Sequence, residues 1–187
     1  MIIKNNKNKL REVCEEVSSL FEGEDIGIKL IKELGDKGIG LAANQIGINK
    51  RVCVINVKEP IVFINPKIIK LDGEQIIYPE ACLSFPNKVI KTIRHRWVTI
   101  ESDNHGKIVM GSDKDDENLL EAVCAQHEID HLDGITMFDR KFKGNTIKRV
   151  TKKIGRNQKV TIEKDGNTKT LKWKKTEPYF NDGWTLV

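Results

Sequence analysis

The run Gln126-His127-Glu128-Ile129-Asp130-His131-Leu132-Asp133-Gly134 places two histidines four residues apart, with a glutamate directly after the first. On a helix this spacing brings both imidazoles to one face, about 6 Å apart, within reach of a single divalent ion. Glu128 then stands beside that ion, placed to take a proton from water held there. Asp113, Asp115, Asp116 and Glu117 supply caps and first-turn negative charge, and Gly134 supplies a stop. Leu119, Leu120, Val123, His127 and His131 recur at steps of three and four, so the histidines lie on or beside the apolar face. Such a helix has to be wrapped by other layers, and the metal would sit inside the protein. The alternative for the same string is a core helix whose histidines hydrogen-bond to their neighbours.

A helix-borne pair needs at least one more protein ligand from elsewhere in the chain. The other histidines, His95 and His105, fall in a strand-like run and in an Asp103-Asn104-His105-Gly106 turn, where exposed positions are the default. Cys14, Cys53, Cys82 and Cys124 form no C-x-x-C pair, which argues against a zinc cluster and against a disulfide framework. Cys53 within Val52-Cys53-Val54-Ile55 reads as a buried strand residue, and Cys14 as a small hydrophobe in a short helical pattern. Cys82 stands apart in the proline-bracketed stretch Tyr78 to Pro86, a loop able to aim a thiolate. Cys124 lies on the metal-facing side of the helix, where spacing alone allows a ligand. A pocket-wall role suits it better, because three ligands from consecutive turns of one helix lie nearly in a line.

Three stretches, Gly38-Ile39-Gly40-Leu41-Ala42-Ala43-Asn44-Gln45, Glu80-Ala81-Cys82-Leu83-Ser84 and Gln126 to Gly134, follow one another in an order and spacing that closely resembles the peptide deformylase family. That family's motifs read G-x-G-L-A-A-x-Q, E-G-C-L-S and Q-H-E-x-D-H-L-x-G, and the likeness runs from about Leu10 to Phe142. One departure is Ala81 where the family pattern has glycine; its methyl disfavours positive φ and alters the loop backbone available to substrate. The resemblance implies removal of the formyl group from the N-terminal formylmethionine of nascent proteins, releasing formate. It implies Cys82, His127 and His131 as metal ligands and Glu128 as the group that deprotonates water and then protonates the leaving nitrogen. It further implies Gln45, through its side-chain NH2, and Leu83, through its backbone N–H, as oxyanion donors. Ile39, Val123 and Cys124 fall at its methionine-pocket positions, Ala81 in its substrate-contacting loop, and Ile39 and Gly40 where the substrate main chain adds as a strand. The cofactor it implies is one divalent ion, Fe(II) physiologically with Zn, Ni or Co able to replace it, whereas ligand types alone point first to zinc. Two other classes share these features. One is an H-E-x-x-H metallopeptidase cutting internal peptide bonds, and the other a ribosome- or RNA-binding protein with a structural metal.

The 187 residues fit one domain, expected as a catalytic part over 1–145 and a basic extension over 146–187 that is not independent. Helical patterns at Leu10 to Leu20 and Ile26 to Leu34 precede the first motif. Strand-like runs follow at Arg51 to Val57, Ile61 to Leu71, Gln75 to Tyr78, Val89 to Ile93, Trp97 to Glu101 and Ile108 to Met110. This order predicts an α+β fold, mixed or antiparallel sheets packed around the H-E-x-x-H helix. No apolar run has membrane length and no secretory or organellar leader is visible, so a cytoplasmic monomer without a membrane partner is expected. From Lys141 to Lys175 there are 13 Lys and Arg against Glu163 and Asp165, a local charge of +11; residues 1–140 carry 19 basic against 23 acidic, or −4. Thr146 to Ile154 reads as a short basic helix, and Val160 to Trp173 as a hairpin around Asp165-Gly166. Such a segment suits either contact with ribosomal RNA or a solvated tail.

Overall fold

The fold follows from strands buried on both faces and from one helix with almost no solvent side. A computed structural model describes residues 1–143, 159–164, 167–172 and 185–186. The chain forms two compact units, Met1–Phe142 and Lys143–Val187.

In the first unit, β1 (Gly40–Ala42), β2 (Val52–Asn56) and β3 (Pro60–Ile64) form an antiparallel sheet in the order β1-β2-β3. A second antiparallel sheet joins β4 (Lys67–Cys82), β5 (Phe85–Ser102) and β6 (Gly106–Gly111). Alternation along β2 sends its side chains two ways. Val52 and Val54 pack with Leu30 and Leu34 of helix α1 (Leu20–Leu34). Cys53 and Ile55 join Val98, Ile100 and Met110 of the second sheet around Ala122, Ala125, Ile129 and Leu132 of helix α2 (Asp116–Leu132). Every α2 residue from Ala122 to Leu132 is buried, which makes the architecture α+β with α2 between the sheets.

α2 begins where the acidic cluster puts it, with Asp115 Oδ1 accepting the Asn118 N–H at 2.7 Å. It stops at Gly134, whose φ of +70° suits glycine and whose absent Cβ would lie 2.4 Å from the Arg11 carbonyl oxygen. α1 lies close on its sheet because Gly23 and Gly27 carry no Cβ; one there would come within 2.6 Å of Ile64 and Val62 side-chain atoms respectively.

Three expectations from periodicity fail. The helix expected over Leu10 to Leu20 is only a 3-10 turn at Lys9–Arg11 followed by extended chain, and α1 begins at Leu20. The backbone of that segment is taken by distant partners: the Cys14 N–H donates to Leu132 O at 2.9 Å and the Val17 N–H to Asn65 Oδ1 at 2.9 Å. Ser19 then caps α1 through its hydroxyl, which accepts the Glu22 N–H at 3.2 Å. The Ile61–Leu71 run is split at Asn65, whose φ of 51° turns the chain from one sheet to the other just before Pro66. Conversely, the three short runs between Gln75 and Glu101 and the end of that split run belong to only two long strands. A bulge after Asp72 and the charged Arg94 interrupt their apolar pattern.

In the second unit, β7 (Lys159–Lys164) pairs antiparallel with β8 (Asn167–Lys172), the expected hairpin. β7 also pairs with β9 (Thr185–Leu186), a strand that the sequence did not suggest. The expected basic helix at Thr146 to Ile154 and the Asp165-Gly166 turn lie outside the described residues. Among the described residues no helix is long and apolar enough to cross a membrane.

Candidate metal centre

The second motif ends β4 and the third occupies α2, and their meeting assembles a buried donor cluster. One atom each from Cys82, His127 and His131 lie within 4.8 Å of one another. Cys82 is not in a free loop but is the last residue of β4, where the register slips and Cys82 pairs with Phe85. This strand end places its Sγ 3.3 Å from His131 Nε2. The two imidazoles stand edge to face with centroids 4.9 Å apart.

Which imidazole nitrogen is free is decided by a second layer. Glu80 Oε2 lies 2.6 Å from His127 Nδ1, so Nδ1–H donates to the carboxylate and Nε2 is left with its lone pair toward the cluster. Glu80 is itself clamped by Arg94, whose Nε and Nη2 donate to it at 2.5 and 3.0 Å, and by the Thr92 hydroxyl. The Arg94 Nη1 donates at 2.5 Å to Asp130, which also receives Arg140 at 2.6 and 3.0 Å. Burial alone would raise the Glu80 pKa, but the hydrogen bonds from His127 and Arg94 outweigh it and bring it down to about 2. A permanent anion therefore backs His127.

Burial also favours neutral imidazoles. At His131 it prevails, aided by neighbouring positive charge at His127, and the ring's pKa falls well below its ordinary value. At His127 burial is outweighed by hydrogen bonds with Cys82 and Glu80, which raise its pKa. A sulfur and two ring nitrogens have the donor chemistry for a divalent ion, which competes with protons for the same lone pairs. The chain thus fits a metal: sulfur plus two imidazole donors, with an anion steadying one of them.

Glu128 is not part of this cluster. It is 4% exposed, its Oε2 has no hydrogen-bond partner among the described residues, and burial followed by repulsion from Glu80 raises its pKa to about 7. A carboxyl balanced near neutrality can both take and return a proton. Gly40 makes room for it: a Cβ there would lie 2.5 Å from Glu128 Oε1 and 2.6 Å from Cys124 Sγ. Gln45, also buried, is oriented by the Ala42 N–H, which donates to its Oε1 at 2.8 Å, so its Nε2 faces Ser84 Oγ at 3.1 Å and Cys82 Sγ at 3.6 Å.

Gln45, Glu80, Cys82, His127 and Glu128 open on one cavity of about 580 Å³, with His131 behind them. Its lining includes Ile39, Gly40, Ala81, Leu83, Val123 and Cys124, so every substrate-side residue named from the sequence reaches it, together with Leu120, Ile2, Lys4 and Lys37, which were not anticipated. Ala81 lies opposite Val89 within β4 and is not among the positive-φ residues, so its methyl costs no backbone strain. The Cys124 thiol donates to Ile39 O at 3.3 Å and lies in the cavity lining. His95 and His105 lie apart, against Gln75 and the Val62 carbonyl. Glu80 and Asp130 stood within the sequence motifs without an assigned role; a charged residue inside a buried motif was the signal that could have marked them.

Replacing Arg94 by Met leaves Glu80 and one side of Asp130 buried without their counter-charge. The expected loss is about 3–5 kcal/mol of folding stability, with metal affinity down about 10- to 100-fold through the loosened His127. Urea unfolding and metal titration check it; a stability change below about 1 kcal/mol would mean that the network is a minor, solvent-like contact.

Residues 1–149 match the family model described as polypeptide deformylase. The peptide deformylase of Rhizobium meliloti (strain 1021) is 43% identical over 156 residues, covering 75% of this chain and 87% of that protein. The peptide deformylase of Heliobacterium modesticaldum is 40% identical over 146 residues, covering 74% and 91%. Among solved structures, a peptide deformylase from Legionella pneumophila aligns with a TM-score of 0.66 at 30% identity, covering 76% of this chain and 86% of that one. One from Synechococcus elongatus in complex with actinonin aligns with a TM-score of 0.68 at 31% identity, covering 77% and 79%.

Proposed function

The chain belongs to the peptide deformylase family, and on that footing we propose how its cavity performs the reaction. The protein is a metal-dependent hydrolase that removes the formyl group from the N-terminal formylmethionine of newly made proteins. The match over residues 1–149 sets aside the readings as an internal peptidase and as a binding protein with a structural metal.

Cys82, His127 and His131 hold the single divalent ion, with Glu80 fixing the His127 tautomer. The observation that carries this reading is the buried sulfur-and-imidazole cluster beside a carboxyl with one orphaned oxygen. When bound, the ion polarises the formyl carbonyl and makes water more acidic. Glu128 accepts the proton of the attacking water and delivers it to the methionine nitrogen as the formyl C–N bond breaks, so formate and a free amine leave. Gln45 Nε2 and the Leu83 N–H donate to the oxyanion that forms between these steps. Ile39, Val123 and Cys124 wall the space for the methionine side chain, and Ile39 and Gly40 receive the peptide main chain beside Ala81.

The soft thiolate supports Fe(II) as the physiological ion, with Zn, Ni or Co fitting the same donors. The protein works as a cytoplasmic monomer, with residues 1–145 as catalytic domain and 146–187 as an extension of it. The charge of +11 between Lys141 and Lys175 supports contact of that extension with ribosomal RNA near the emerging chain.

Anaerobically prepared, iron- or nickel-loaded protein is expected to release formate from a formyl-Met tripeptide. Absence of release from folded, metal-replete protein would overturn the assignment.

A further inference from the structure

The rim of the active cavity carries charge of one sign. Of the acidic and basic side chains that line it, Glu80, His127 and Glu128 are buried, and those exposed at its mouth are Lys4 and Lys37. The sign is local, since residues 1–140 have a formal charge of −4.

Lys4 is held in place by backbone on either side of it. The Ile3 N–H donates to Gln45 O at 2.7 Å and the Asn5 N–H to Ser84 O at 2.8 Å, so the N-terminal segment is tied to Gln45 itself and to the serine that its amide faces. Side chains two apart share a side in such extended chain, and Ile2 and Lys4 both reach the cavity. Lys4 has no carboxylate partner among the described residues. Lys37, immediately before the Gly38-Ile39-Gly40 stretch, shares its charge with Glu33 at 3.1 Å. A peptide leaving the metal along Ile39 and Gly40 passes a mouth with an unneutralised ammonium.

We propose that Lys4, seconded by Lys37, gives this enzyme a preference for formyl-Met peptides that carry a carboxylate downstream of the methionine. The inference rests on the deformylase reading and adds to it a substrate class. Both ammonium groups are solvated, so the expected preference is about two- to fivefold in kcat/KM, and it is carried in KM because the contact is the same in ground and transition states.

The test compares amidated formyl-Met-Ala-Glu and formyl-Met-Ala-Gln, which differ in charge and hardly in shape. The wild-type Glu/Gln ratio of kcat/KM is expected to exceed one, to shrink at high salt, to approach one in Lys4→Ala and to persist in Lys4→Arg. The free acid of formyl-Met-Ala-Gln, set against its amide, separates capture of a side-chain carboxylate from capture of a chain-terminal one. A wild-type ratio of one, or a ratio unmoved by Lys4→Ala, overturns the proposal while leaving deformylation intact. Formate release from none of these peptides by metal-replete wild-type protein overturns the deformylase reading itself.

Discussion

Glu128→Ala is expected to lower kcat by about a hundred- to ten-thousandfold, the span of a positioned general acid–base group, while the protein keeps its metal. Two features separate the carboxyl from the metal donors. Its Oε2 is buried with no partner among the described residues, and the clustered donors are Cys82, His127 and His131 without it. A carboxyl whose pKa lies at about 7 changes charge where the reaction runs, which a residue serving only to pack would have no need to do. Truncation also relieves a buried group that is costly to ionise, so stability should hold or rise. Metal content by atomic absorption beside the formate assay makes the comparison. Retention of a tenth or more of wild-type turnover would move the proton transfer to another group.

Gln45→Ala is expected to reduce kcat by about a hundred- to a thousandfold, or roughly 3–4 kcal/mol of barrier, with little change in KM. The side chain is preorganised: the Ala42 N–H fixes its Oε1, and the Nε2 that remains is aimed between Ser84 and Cys82. Such an amide costs no reorganisation when negative charge appears on the formyl oxygen. The same truncation strands the buried Ala42 N–H, which should cost about 1–3 kcal/mol of stability. Measuring urea midpoint and kcat together keeps the two effects apart. An unchanged kcat in folded protein would leave the oxyanion to the Leu83 N–H alone.

Much of this site was legible because its signals are local. The Asp115 cap, the i, i+4 histidines and the Gly134 stop lie within or beside one helix, and spacing along a helix converts directly into direction in space. The three motifs together carried the resemblance that named Gln45, Cys82 and the pocket walls. What stayed hidden was the layer behind the metal donors. Glu80 meets His127 across 47 residues and Arg94 meets Asp130 across 36, and no periodicity relates such pairs. Arg94 even misled, because a buried guanidinium in mid-strand looks in sequence like the end of a strand. The lysine rim was equally invisible, since Lys4 comes to the cavity through backbone bonds from Ile3 and Asn5 to Gln45 and Ser84.

Residue order alone was enough for the helix that carries both histidines, with its cap and its stop, because these depend on residue type and on distance along the chain; Cys82 entered as third donor only through the family resemblance. Three-dimensional packing was needed for the rest: that residues 10–20 do not form a helix, that Ala81 sits without strain, and that an ionised Glu80 rather than water holds His127 in its tautomer. Those outcomes turn on backbone hydrogen bonds and desolvated charges whose partners are remote in sequence, and their energies exist only once the sheets have closed around α2.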